Sequence, residues 1–392
     1  MLFSIALILL VGMSAGWLCN KIKLPSLLGM IITGIILGPY VCNLIDPSIL
    51  GISSELRRIA LIIILTRAGL SLDLDDLKKV GRPAVLMCFV PACFEIIGMV
   101  ILAPMLLGIS RLDAAIMGAV VGAVSPAVIV PKMLKLMDEG YGAEKGIPQL
   151  ILAGASVDDV FVIVMFTAFT GLAQGGEISP VSFIQIPISI ILGIIVGCII
   201  GIGMSKFFEK MHIRDTAKIV IILSIAFMLV TLEDKLSGTV PFSGLIAVMC
   251  LGIALQKRRE VVAVRLSSKF SKLWVAAEVL LFVLVGATVD LSYALAAGIT
   301  AIILVFGVLL FRMLGVFCCL LKTKITLKER LFCMIAYTPK ATVQAAIGGV
   351  PLAMGLACGN IVLTVAVLAI LITAPLGAFC IEFSYKKLLS NK

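Results

Sequence analysis

The chain has 392 residues, 61% of them hydrophobic and only 14% charged, and its mean hydropathy is +1.21. The charged share is about half that of a soluble globular domain, which excludes a soluble enzyme or scaffold and points to an integral membrane protein. The formal net charge of +10 raises nucleic acid as a partner, a reading that the placement of the charges answers.

Apolar runs recur along the whole chain, and each is long enough to cross a hydrocarbon core about 30 Å thick as a helix. They fall at about 2–18, 24–42, 55–72, 83–108, 112–134, 147–172, 181–204, 216–232, 239–255, 273–291, 293–321, 329–354 and 360–381. Thirteen spans are therefore predicted. Alternation at period two is absent, so the spans are read as helices rather than barrel strands. The first run begins at Leu2 with no basic residue before it and no small-residue cleavage site after it. It is read as helix 1 and not as a signal peptide. The eleven cysteines, Cys19, Cys88, Cys93, Cys318 and Cys319 among them, are scattered inside apolar runs without metal-ligand spacing. They read as small buried hydrophobes, with no disulfide framework and no resident metal. The single histidine, His212, lies in a charged loop, which leaves histidine catalysis without a basis.

The 32 lysines and arginines sort by side. Loops after odd-numbered spans, with their flanks, carry 25 of them; loops after even-numbered spans carry four, namely Arg57, Arg58, Arg111 and Lys235. The asymmetry orients the chain with its N-terminus outside and its C-terminus in the cytoplasm, at the plasma membrane. Positive charge is then topological, nucleic acid is not needed to explain it, and membrane lipid is the expected surrounding partner.

The two halves echo each other. "GLSLDL" (Gly69 to Leu74) matches "GATVDL" (Gly286 to Leu291) at an offset of 217, Pro25 matches Pro241 at 216, and Ser125 with Pro126 matches Thr338 with Pro339 at 213. Glu95 stands opposite Arg312 at 217. Such an offset spans seven helices, an odd number, so spans 1–6 and 8–13 run in opposite senses with span 7 as the connector. Inverted repeats of this kind are the signature of alternating-access transporters, with the site near the midplane.

Spans 5 and 12 each carry a proline near their centre, Pro126 and Pro339. Proline removes a backbone donor, and in lipid the freed groups persist only where they face protein or a cavity. Half-helix ends near the midplane would supply partial charges. Six ionisable residues lie well inside spans: Arg67, Glu95, Asp158, Asp159, Arg312 and Lys340. Each costs roughly 2.5 to 3.5 kcal/mol at a bilayer centre, so they are expected to face one another or a cavity. Glu95 with Arg312 is expected to be a structural pair. Arg67 has no evident partner, and its role is left open. Asp158 and Asp159 are neighbours, hence about 100° apart on a helix; one can meet Lys340 while the other points into the cavity, open to a cation or a proton. Ser125, Ser156 and Thr338 are further candidate ligands for a hard cation, although such hydroxyls often bond to backbone instead.

Three rival readings are weaker. An intramembrane aspartyl protease needs its carboxylates on separate helices, a channel more naturally shows rings or filter loops, and an organic-anion carrier fits poorly with two adjacent acids. No enzymatic activity is expected.

"VVGAVSPAVIVPKMLKL", "EKGIPQLILAGASVDDVF", "RAGLSLDL" and "TPKATVQAAIGGVPLA" closely resemble the sodium/proton antiporters of the cation:proton antiporter superfamily, the NHA-type sodium/hydrogen exchangers in particular. The resemblance runs from span 3 through span 13. It implies an all-α membrane protein of about thirteen helices, two inverted six-helix repeats joined by a linker helix, and crossed discontinuous helices in the core. It further implies a homodimer, with 1–78 and 176–292 supplying the interface domain and linker, and 79–175 and 293–392 the moving core. Function would be exchange of Na+, with Li+ as a second candidate and K+ as the alternative, for protons, serving pH homeostasis; Na+ and H+ are cargo, and no cofactor is implied. On the same resemblance Asp159 is the principal cation and proton carrier and Asp158 pairs with Lys340, with Asp159 and Asp158 together expected to bind the Na+ and the proton. The chain ends soon after span 13, so gating by a soluble domain of its own is not expected.

Overall fold

A computed structural model describes residues 1–22, 24–72, 81–174, 180–211, 213–236 and 240–391. His212 lies outside the described residues. Among those described the secondary structure is helical, apart from one isolated bridge between Tyr141 and Asn391. The reason is the solvent: in hydrocarbon a helix satisfies its own backbone groups.

Among the described residues nine segments are long and apolar enough to cross a membrane: Leu2–Lys21, Arg82–Leu107, Arg111–Asp138, Ile147–Ala173, Ile188–Lys210, Asp215–Leu236, Glu260–Ala287, Gly298–Cys319 and Gly359–Leu388. The four other stretches expected to cross are built differently. Ser26–Leu37 has 12 residues, Gly244–Arg258 has 15, and Ser53–Ser71 carries Glu55, Arg57, Arg58 and Arg67. The fourth, 329–354, is divided into three short helices.

The chain divides into two compact units. The first comprises Met1–Glu55, Asp75–Ala173 and Val279–Lys392. In it α1 (Leu2–Lys21) lies along α2 (Ser26–Leu37), with Gly29 against the backbone of Ala15. Two short helices, α3 (Pro47–Gly51) and α5 (Arg82–Met87), precede longer ones; α4 (Ser53–Ser71) passes into the second unit. The centre of the first unit is the crossing of α6 (Val90–Leu107) with α14 (Leu291–Cys319). Small residues bring their backbones close: a methyl placed on Gly315 would stand 2.8 Å from the Pro91 Cα, and one on Gly98 would meet the ring of Phe311. Close approach of this kind is how helices associate without a hydrophobic gradient between them.

Around that crossing stand α7 (Arg111–Val121) and α8 (Pro126–Asp138), two halves of one interrupted span, and α9 (Ile147–Ala173). The C-terminal half contributes α15 (Leu327–Ala336), α16 (Thr342–Ile347), α17 (Val350–Ala353) and α18 (Gly359–Leu388). Ser110 caps α7 by accepting from Asp113 N, and Thr326 with Glu329 forms a capping box at α15. Such caps satisfy orphan N–H groups at helix starts.

The second unit comprises Leu56–Leu74 and Gln174–Glu278. Its frame is α10 (Pro180–Lys210), α11 (Asp215–Leu236) and α12 (Gly244–Arg258), followed by the first part of α13 (Glu260–Ala287). Gly193, Gly197 and Gly201 recur every fourth residue on α10 and press against backbone at Ser243, which caps α12, and at Ala247 and Leu251 within it. Any side chain larger than hydrogen would push the two helices apart.

Candidate ion site

The break between α7 and α8 is Gly122 to Ser125, and that between α15 and α16 is Tyr337 to Ala341. At each, proline at the next helix start or inside the gap removes a donor, and several backbone groups lose their helical partners. The two gaps meet: Ser125 N donates to Pro339 O at 2.8 Å. Gly377 on α18 makes room for the Pro339 ring.

Several other orphan groups are taken by side chains, Arg312 above all. Its Nε donates to Tyr337 O at 2.7 Å, its Nη1 to Glu95 Oε2 at 2.7 Å and to Gly122 O, and its Nη2 to Asp158 Oδ2 at 2.8 Å. One guanidinium thus closes the C-terminal ends of both α7 and α15 while holding two carboxylates, a use suited to its rigid five-donor fork. Its plane lies over the Tyr337 ring, 5.1 Å from the centroid, and Tyr337 OH donates to Met87 O at 3.1 Å. Lys340 Nζ donates to Glu95 Oε2 at 2.6 Å, and Lys340 N to Thr373 Oγ1 at 2.9 Å. Val124 N donates to Asp158 Oδ2 at 2.9 Å. Glu95, Asp158, Arg312 and Lys340 are all fully buried.

Glu95 and Arg312 meet, but they form part of a larger network. The expected direct pairing of Asp158 with Lys340 is corrected: Lys340 bonds to Glu95, and Asp158 bonds to Arg312. The physical reason is valence. An ammonium delivers a point charge to one carboxylate, whereas the planar fork of Arg312 reaches both acids at once.

The charges of this network balance: Glu95 and Asp158 against Arg312 and Lys340. Asp159, next on α9 and half-buried, lies within Coulombic range of Asp158 and Arg312 but has no cation of its own among the described ion pairs. Its Oδ1 is buried without a hydrogen-bond partner, as are Asp158 Oδ1, Ser125 Oγ and Glu95 Oε1. Buried polar oxygens are ordinarily paired, so unpaired ones on members of one buried charge network and its neighbours call for an explanation. A hard cation binds through such oxygens, and a carboxylate can take a proton in its place.

The other predicted ligands separate. Thr338 Oγ1 donates to Ile335 O at 2.8 Å, so this hydroxyl is engaged in its own helix end. Ser156 lies on α9 with its side chain outside the described set. Arg67 belongs to the second unit, where it is within Coulombic range of Glu278, an acid on α13 that also accepts a hydrogen bond from Trp274. Glu278 was not singled out in the sequence because it sits close to the expected start of span 10, yet α13 begins eighteen residues earlier at Glu260. Gln344 and Thr373, both buried, also went unmarked; uncharged polar residues in an apolar run carry no charge signal.

An apolar helical bundle with two broken helices meeting around buried charge is the architecture of an ion-coupled membrane transporter. Comparison with known proteins agrees. The profile described as "Sodium/hydrogen exchanger, transmembrane" matches residues 5–386. The chain is 33% identical over 410 residues to human sodium/hydrogen exchanger 9B2, covering 100% of this chain and 75% of that protein. It is 31% identical over 386 residues to human sodium/hydrogen exchanger 9B1, covering 94% and 73%. Its fold is shared with the sodium proton antiporter MjNhaP1 from Methanocaldococcus jannaschii, with a TM-score of 0.86 at 22% identity over 98% of this chain and 97% of that one. The chain belongs to the sodium/hydrogen exchanger family.

Proposed function

We propose that this protein exchanges Na+ for H+ across the membrane by alternating access, with Asp159 as the shared seat of cation and proton. The observation that carries this reading is the uncompensated Asp159 beside a balanced set of four charges. In a low-dielectric interior a lone carboxylate needs a countercharge or a proton, and alternating between the two is the exchange cycle. Asp158 Oδ1 and Ser125 Oγ, also unpartnered, are the oxygens that would join Asp159 Oδ1 around the ion. Asp158 stays tied to Arg312, and Lys340 neutralises Glu95.

In this reading residues 79–175 and 293–392 form the moving core, since they contain Glu95, Asp158, Asp159, Arg312 and Lys340, while 1–78 and 176–292 form the linker and dimer interface. Residues 24–42, 55–72, 239–255 and 329–354 complete thirteen crossings in two inverted repeats, and the helices broken at Pro126 and Pro339 cross. That the repeat-related breaks touch through Ser125 N and Pro339 O supports it. The protein sits in the plasma membrane with its N-terminus outside, as the 25 to 4 distribution of basic residues supports.

The test is a proteoliposome assay with a pH-sensitive dye, challenged in turn by Na+, Li+ and K+. Wild type should move protons on addition of Na+, and Asp159→Asn should abolish the signal. An Asp159→Asn protein that exchanges at the wild-type rate would overturn the assignment, and a response to K+ alone would make the protein a K+/proton antiporter.

A further inference from the structure

Gln344 lies on α16 and is 1% exposed. Its amide serves both helix breaks at once. Oε1 accepts from Ala341 N at 2.9 Å, closing the start of its own helix, while Nε2 donates to Ala123 O at 2.8 Å and to Val121 O at 3.0 Å, closing the end of α7. Both amide hydrogens are therefore spent on the opposite break. The two carbonyls it holds flank Gly122, whose own carbonyl is taken by Arg312, and the next peptide presents Val124 N–H to Asp158. The peptide after that leads to Ser125, whose N–H returns to Pro339 O.

We propose that Gln344 is a positioning and specificity-determining residue for cation exchange: its amide clamps the two helix breaks together and so fixes how far Asp158 Oδ1 stands from Ser125 Oγ. The inference rests on the exchange reading above. Without the clamp, Val121 O and Ala123 O become buried acceptors lacking donors, which is costly enough for residues 122–125 to rearrange. The segment that carries both Val124 N–H and Ser125 would then shift relative to Asp158. A loosened oxygen set binds the smaller and larger alkali cations with less distinction, because size selection depends on a rigid cage.

Two variants of nearly the same volume separate the clamp from simple capping. Gln344→Glu keeps an acceptor for Ala341 N but loses the amide donors; Gln344→Met loses everything polar. For the two amide-donated hydrogen bonds that both variants lose, the apparent KM for Na+ should rise at least about tenfold in each, with the rate at saturating Na+ changed far less and the Li+ to Na+ preference flattened. A wild-type KM and ion preference in Gln344→Glu would mean that the amide merely caps α16. A lower KM would mean that the added negative charge dominates. Either result overturns the proposal.

Hydrogen–deuterium exchange without added cation makes the test independent of transport. In Gln344→Glu, uptake should quicken in residues 121–125 and 338–345 together; acceleration in 338–345 alone contradicts the clamp. In the unmodified protein under mild destabilisation, the two segments should open in step, and uptake that is out of step overturns the clamp whether or not either variant folds. Should wild type show no Na+-driven proton movement, the exchange reading fails, and these uptake patterns still judge the clamp.

Discussion

The two units of this protein face the same problem, packing helices in hydrocarbon, and differ in whether the helices are whole. In the second unit α10 and α12 are continuous, and Gly193, Gly197 and Gly201 let the helices touch. In the first unit two spans are broken, between α7 and α8 and between α15 and α16, and orphan groups there are handed to Arg312, Gln344, Asp158 and Thr373. Close glycine packing serves both units, as at Gly98 and Gly315 in the first, and hydrogen bonds between side chain and broken backbone are what the first unit adds. The difference teaches why buried charge is concentrated where the backbone is irregular: broken helix ends supply carbonyls and N–H groups that make a buried ion tolerable.

If that contrast is right, removing Arg312 should have the largest effect. Arg312→Met strands two backbone carbonyls, takes the only ion-pair partner among the described residues from Asp158 and leaves Glu95 to Lys340 alone, and loss of one member of a buried ionic network typically costs about 3 to 5 kcal/mol. The variant should unfold far below wild type in a thermal melt in detergent. A melting temperature near wild type would show that the backbone breaks hold themselves.

The glycine stripe tests the other side of the comparison. Gly197→Val forces a branched side chain against the Ala247 backbone, and overpacking of this kind costs typically about 1 to 3 kcal/mol. The melt should shift down while the KM for Na+ in vesicles stays near wild type. A changed KM with an unchanged melt would mean that this contact serves transport rather than packing.

The smallest effect sharpens the composition of the site. Thr338 donates its hydroxyl to Ile335 O, and a back-bonded threonine of this type contributes little beyond about 1 kcal/mol to stability. Thr338→Val should therefore leave the KM for Na+ within about twofold of wild type, the change expected from so small a perturbation. A large rise would return Thr338 to the ion's ligands.

Much of the centre was legible in the sequence, for reasons that differ residue by residue. Pro126 and Pro339 announced breaks because proline removes a donor wherever it falls. Glu95 and Arg312 announced a pair because they occupy matching places 217 residues apart. The partners of Asp158 and Lys340 were misassigned because helical spacing sets the angle between neighbours but says nothing about how far a guanidinium reaches from another helix. Gln344 stayed hidden for a related reason: its function is visible only from the opposite break, more than two hundred residues away. Glu278, the acid within Coulombic range of Arg67, went unmarked because it sits in a helix whose true start, Glu260, lies inside a basic stretch that reads as a loop.

The central claim is that one carboxylate trades a proton for a cation. Its most direct measurement is proton release in weakly buffered detergent solution when Na+ is added to the purified protein. Wild type should release protons in proportion to Na+ bound, and Asp159→Asn should release none. A wild-type release from Asp159→Asn would contradict the account.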